Sequence, residues 1–277
     1  MPSRFDLQIS DMLRDSIGYQ LAIMQIIQDP LFYAVAIPAV LITSISKGGF
    51  AGGLGIVAVP LMALAISPTQ AASIMLPILC VMDLTGFVTW RKRCDPALLK
   101  LLLPGALIGI LIGALMFHQL NDAMVTAMVG VMALVFALNY WFKGMVHSPV
   151  HLPDKASAGL WSFLSGFTSF VSHAGGPPMA IYLLPKNLDK AVYVGTVTIL
   201  FTTINYAKIV PYALLGQLTV DNLATAAVLS PLAPIGVKLG AWMHDRIDAK
   251  VFYRISYGFL LLTGLKLSWD GLRHWIG

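Results

Sequence analysis

Long apolar runs dominate the chain, at residues 71–90, 101–117, 123–142, 191–214, 222–243 and 251–269. About 20 mostly apolar residues in a helix cross the hydrocarbon core of a bilayer, so each run predicts a spanning helix. Two further apolar stretches, 31–66 and 157–185, are interrupted by glycine. Gly48-Gly49 and Gly52-Gly53 break the first; Gly175-Gly176-Pro177-Pro178 break the second. Glycine and proline weaken a continuous helix, and both stretches are expected to be broken hairpins. Residues 1–30 place Phe5, Ile9, Met12, Leu13, Ile17 and Leu21 near helical spacing among interleaved Arg and Asp. They lack a basic start and a small-residue cleavage site, which points to an interfacial helix rather than a signal peptide.

Charge supports this division and orients it. Charged residues make up 11% of the chain against 57% hydrophobic, whereas soluble domains carry about a quarter charged. A soluble enzyme is excluded on that ground. The chain has no Glu, and its Asp residues lie mostly at segment edges. The net charge of +5 comes from basic residues in short loops, which is a topology signal and gives no reason to expect nucleic acid. Arg91, Lys92, Arg93 and Lys100 mark one loop as cytoplasmic, and Lys143 with Lys155 marks another. Lys186 and Lys190 place the end of the second broken stretch on that same side, so 157–185 leaves and re-enters from one face. The loops 118–122 and 215–221 lack Lys and Arg and belong outside, while Arg246, Lys250 and Arg254 return to the inside. Cys80 and Cys94 form neither a disulfide framework nor a metal spacing, and no cofactor is expected. No P-loop, H-E-x-x-H, C-x-x-C or G-x-S-x-G is present, so neither ATP hydrolysis nor an enzyme activity is indicated.

An internal repeat links the two halves. Pro104, Gly109, Gly113, Ala114 and Met116 have the spacing of Pro231, Gly236, Gly240, Ala241 and Met243, a P-x4-G-x3-G-A-x-M pattern. The same offset superimposes Gly48-Gly49 on Gly175-Gly176. The first copy runs outward from a basic loop and the second runs inward, so the repeats are inverted. The expected fold is an all-α polytopic membrane protein of two inverted repeats, each a glycine-broken re-entrant hairpin plus three transmembrane helices. Its divisions are an amphipathic segment (1–30), a first repeat (31–142), a cytoplasmic connecting loop (143–156) and a second repeat (157–277). Such repeats with discontinuous helices are a secondary-transporter design that binds substrate near the midplane. The repeated glycines themselves are read as close-packing positions.

Polar residues in the apolar stretches nominate a site. At the first break, Ser46 and Lys47 precede Gly48 and Gly49; at the second, Ser172 and His173 precede Gly175 and Gly176. Intramembrane charge is expensive unless hydrated or paired, and backbone N–H groups at a helix start favour an anion. Lys47 therefore suits an anionic solute, unless it lies in a loop nearer the surface. His173 can bind an anion, carry a proton or simply hydrogen-bond a carbonyl. Ser46 and Ser172 can serve a substrate or their own backbones. Thr196 and Asn205 are expected to face the bundle interior. Lys208 either faces it too or snorkels. Asp83 either relays protons or pairs with a lysine, making His173 and Asp83 the candidates for proton coupling.

The stretch from His173 to Pro185, with Asp189-Lys190, Val194-Gly195-Thr196, Asn205, Lys208, Pro211-Tyr212 and Leu215-Gly216-Gln217, resembles the TauE/SafE family of sulfite exporters and organosulfur-anion permeases. Lys47 to Gly53, Pro60 and the Pro104-to-Met116 helix look like that family as well, and the resemblance covers about residues 35–270. It implies a bacterial inner-membrane permease for sulfite, a sulfonate such as sulfoacetate, or a similar small anion. The expected partners are that solute and the lipid bilayer; a homodimer is compatible with the sequence. Alternating access, by rocking one repeat against the other, is the expected mechanism. The alternatives are an anion channel and, further off, a membrane-embedded enzyme.

Overall fold

The computed structural model describes residues 25–49, 55–117, 119, 121–142, 152–244, 246 and 249–276. Most of the amphipathic N-terminal segment, the Gly52-Gly53 pair and most of the connecting loop lie outside the described residues. Among the described residues the chain is helical, without strands. Helix α1 spans Pro30–Gly49, and a 3-10 turn at Gly55–Val57 leads into the short α2, Ala58–Met62. There follow α3 (Pro68–Trp90), α4 (Pro96–Phe117) and α5 (Asp122–Trp141). The second half contains α6 (Asp154–Ser172), α7 (Gly176–Leu183), α8 (Lys190–Leu214), α9 (Val220–Leu229), α10 (Leu232–His244) and α11 (Ala249–Ile276). Among the described residues, six stretches are long and apolar enough to cross a membrane: 30–49, 68–88, 96–117, 122–141, 191–214 and 220–243; the run predicted at 251–269, within α11, is not one of them.

Helix starts carry local signals that the apolar runs do not. Ser67, Asn121, Asp189 and Thr219 each accept a hydrogen bond from a backbone N–H in the first turn that follows, the usual satisfaction of orphan donors. Asp95 does the same for Ala97 and Leu98 ahead of α4. These caps extend α3 to Pro68 and α4 to Pro96, upstream of the apolar runs that predicted them. One predicted span is divided: the run 222–243 breaks between α9 and α10 at Ser230-Pro231. Proline there has no N–H to give the preceding turn and its ring crowds that turn's carbonyl.

The helices pair across the two halves. The most extensive packing joins α4 to α6, α5 to α11, α1 to α10 and α3 to α8. Glycine contacts occur in three of these seams, and two of the three involve the repeated glycines. A Cβ at Gly109 would stand 2.1 Å from the Phe163 carbonyl oxygen, and one at Gly166 would stand 2.0 Å from that of Ala106. In the other seam, a Cβ at Gly48 would lie 2.0 Å from the Val237 oxygen, and one at Gly240 would lie 2.1 Å from that of Ile45. Backbones approach this closely only where side chains are absent. The repeated glycines thus do the same work twice: the third element of each half lies against the first element of the other. Contacts ascend together along α4 and α6, so that pair is parallel. Those between α5 and α11 run in opposite senses, from Gly130 beside Ser268 to Gly264 beside Leu134.

Candidate functional site

Helices α3 and α8 lie side by side in opposite directions and fix the depth of the site. At one end, Ser73 donates to Gln217 at 3.0 Å; at the other, the Gly195 backbone presses against the Arg93 carbonyl. Asp83 and Asn205 meet between these points, ten residues or more from either. At 1.5 Å of rise per residue that is about 15 Å from each end, half of a hydrocarbon core about 30 Å thick.

A cavity of about 40 Å³ opens at this level. Its walls are Lys47 from α1, Gly55, Leu79, Met82, Asp83 and Gly86 from α3, and Ser169 from α6. His173 and Gly176 from the second break, Val197, Thr198, Phe201 and Asn205 from α8, and Val237 from α10 complete them. Lys47 forms an ion pair with Asp83 Oδ1, whose side chain is 1% exposed. Asn205 Nδ2 donates to Asp83 Oδ2 at 2.6 Å. Both carboxylate oxygens therefore have a donor, as a buried charge requires.

The second break is held by a network with little freedom. His173 ends α6 in the left-handed conformation, φ 56° and ψ 23°, which a side chain with a Cβ adopts at some cost. Such outliers persist only where the surroundings over-determine them, and here they do. Ser165 Oγ donates to the Gly175 carbonyl at 2.7 Å and Thr168 Oγ1 to that of Ala174 at 3.1 Å. His173 Nε2 lies 2.9 Å from the Ala72 carbonyl, which can only accept. Its Nδ1 lies 2.7 Å from Lys208 Nζ, which also donates to Ser169 O and Oγ, each at 3.0 Å. An ammonium has donors and no acceptor, so Nδ1 accepts, Nε2 carries the proton, and the imidazole is neutral with both nitrogens engaged. Tyr212 stacks beside this ring and donates to the Phe170 carbonyl at 2.6 Å.

Of the residues nominated from sequence, Lys47, Asp83, His173, Gly176 and Asn205 converge on the cavity. Lys208 is fully buried one layer behind it, so it does not snorkel; its three donors fasten His173 and Ser169. Gly48 and Gly49 face α10, and Gly175 is pressed against Ser165 and Phe201. Ser46 is buried on α1 away from the lining. Thr196 lies away too, its Oγ1 accepting the Asp95 N–H at 2.9 Å ahead of α4. Sequence reasoning missed Ser169, Thr198 and Phe201. A signal for Ser169 existed: Ser162, Ser165, Ser169 and Ser172 recur at helical spacing and are all buried in α6, a polar stripe facing inward from an apolar stretch.

Among the described residues no cluster of His, Cys or Asp has the makings of a metal site. The arrangement offers one cation paired with one carboxylate, a neutral imidazole and hydroxyl groups at mid-depth. No curated protein and no solved structure matches the chain. The family model for the sulfite exporter TauE/SafE matches residues 36–267, spanning both halves and every residue of the cavity, and the chain belongs to that family of membrane transporters.

Proposed function

We propose that this protein is a secondary transporter of a small sulfur oxyanion in the bacterial inner membrane, working by alternating access through the cavity between α1, α3, α6 and α8. The observation that carries the reading is the mid-depth pocket lined by Lys47, His173, Ser169, Thr198 and Asn205. Polar groups at that depth are expensive, and in membrane proteins they mark solute or ion pathways. A site for one water needs about 10–15 Å³ by this measure, so the pocket has room for roughly three such groups. Three oxygens of sulfite meet that limit; a longer sulfonate such as sulfoacetate requires the pocket to widen.

The two seams built on the repeated glycines support an inverted repeat, each joining the first element of one half to the third of the other. They also bear on how access alternates. Bodies that move must keep α1 with α10, α4 with α6 and α5 with α11, because parting any of these pairs exposes a glycine groove that no side chain fills. Rocking therefore divides the molecule along the α3–α8 contact, where the pocket lies, rather than between one repeat and the other.

The experiment is thermal stabilisation of the purified protein by sulfite, sulfate, thiosulfate, sulfoacetate, taurine and acetate, with sulfite flux in proteoliposomes alongside. A ligand that binds the folded state raises its apparent stability with saturation. A selective shift with a sulfur oxyanion, lost with flux in Lys47→Ala or His173→Ala, is expected. A shift that survives both substitutions, or no shift with any anion, defeats the assignment.

A further inference from the structure

Resting on that transport reading, the ion pair in the pocket carries a statement about stoichiometry. Among the described residues Lys47 is the one cation in the pocket lining, and its charge is already taken by Asp83. The pocket thus holds an internal anion where an external one would bind. An oxyanion that engages Lys47 leaves Asp83 with Asn205 Nδ2 as its remaining side-chain donor among the described residues. A carboxylate buried to that degree does not stay charged without a cation; it takes up a proton instead.

We propose that Asp83 is the counter-ion displaced by substrate, and that each anion bound to Lys47 loads one proton onto Asp83. The proton comes from water on the loading side, rests on a carboxylate oxygen while Lys47 holds the oxyanion, and leaves with it on the other side. On loading, an O–H bond of a hydronium ion breaks as the carboxyl O–H bond forms; release reverses this, and no bond within the oxyanion changes. One proton then travels with each anion, and the combined gradients set the direction.

The other charged and titratable groups around Asp83 leave it this role. Lys208 on α8 is committed to His173 and Ser169. His173 at the end of α6 has both nitrogens engaged, and a second proton on it would oppose Lys208 Nζ. Cys80 on α3 and Tyr206 on α8 are within electrostatic reach of Asp83, but neither binds it directly. Among the described residues, Lys47 from α1 is the cation that pairs with it. The ion pair is also what makes the pocket selective against neutral solutes, which could not release Lys47.

The test uses the purified full-length protein with sulfite as probe, read by infrared difference spectroscopy. Sulfite is expected to raise a protonated-carboxyl band that is absent in Asp83→Asn and displaced in Asp83→Glu, the second variant serving if the first does not fold. Linkage of one proton to one anion also makes affinity fall about tenfold per pH unit on the alkaline side, a slope steeper by one than in Asp83→Asn. Sulfite that stabilises the protein without raising the band overturns the displacement and leaves the transport reading standing, as does a pH slope equal in wild type and Asp83→Asn. If sulfite, sulfate and ethanesulfonate all fail to stabilise the wild type, the pocket is not the anion site and both readings fall together.

Discussion

Replacing Gly109 by alanine is the sharpest test of the glycine seams. The added Cβ would lie 2.1 Å from the Phe163 oxygen and 2.7 Å from the Phe167 nitrogen. Carbon and carbonyl oxygen normally approach to about 3.3–3.6 Å across packed helices, so α4 and α6 would have to part by more than about 1 Å. The obstructing atoms are backbone and cannot rotate away. Overpacking of this kind costs about 1–3 kcal/mol, and a backbone obstruction belongs at the upper end. Gly159→Ala on α6 is the control, because nothing lies within 4 Å of its added Cβ; there alanine gains about 1 kcal/mol of helix propensity. That gain applies at both sites, so the difference between the variants isolates the packing cost. Gly236→Ala falls between them, because Ser44 Oγ at 1.8 Å can rotate away whereas Ser44 Cβ at 2.7 Å still requires a backbone shift. The assay is unfolding in detergent, followed by helical circular dichroism against denaturant, with free energies compared at one detergent concentration. If Gly109→Ala unfolds as late as Gly159→Ala, the two backbones are not in contact and the seam is wrong.

His173→Gly should be more stable than His173→Ala by about 1 kcal/mol, because glycine alone relieves the left-handed backbone; equal melting of the two removes the strain argument. Tyr212→Phe deletes the 2.6 Å hydrogen bond to the Phe170 carbonyl and should cost about 1 kcal/mol or somewhat more, since the carbonyl stays buried; the same unfolding curves check it. Where α6 begins, the hydrogen bond from Lys186 holds the Asp154 carboxyl below its ordinary value and raises the Lys186 ammonium above its own. Because the folded value of Asp154 is the lower, its contribution is full above the ordinary carboxylate range and fades as pH falls toward the folded value. Exposure keeps it under about 1 kcal/mol. Asp154→Asn should therefore flatten the acid side of the stability profile slightly and leave the neutral side shifted by a constant amount; an unchanged acid side refutes the pairing.

The parts of the fold visible in the sequence are those set by bilayer thickness and by backbone chemistry that has no substitute. Five of the six apolar runs match candidate spans, 251–269 does not, and 30–49 adds one from a stretch read as broken; Gly175-Gly176-Pro177-Pro178 marked the break that places His173. The P-x4-G-x3-G-A-x-M pattern marked its glycines as packing positions, and they pack. What the pattern could not state was the partner: nothing in Gly236 or Gly240 names Ser44 or Ile45, which lie nearly the whole chain away. The same limit applied to the site. Lys47, Asp83 and Asn205 each stood out as polar groups in apolar surroundings, yet their meeting depends on three helices from two halves. Lys208 and Thr196 stood out equally and are placed behind or below the pocket, because a polar residue inside a membrane needs a partner whether or not it meets a solute. The break at Ser230-Pro231 was masked by an apolar run continuous in composition but not in hydrogen bonding.

The cross-half seams also set a timetable for biogenesis. Gly109 and Phe163 are roughly 50 residues apart, whereas Gly48 and Val237 are separated by roughly 190, which a ribosome working at about 5–20 residues per second covers in about 10–40 s. The α4–α6 seam can therefore close while the chain is still being made. Helix α1, the first of these to emerge, waits in the membrane with its bare glycine face open until α10 arrives. During that interval it is the surface most in need of an insertase or chaperone, and a ribosome stall between α6 and α10 would leave it stranded.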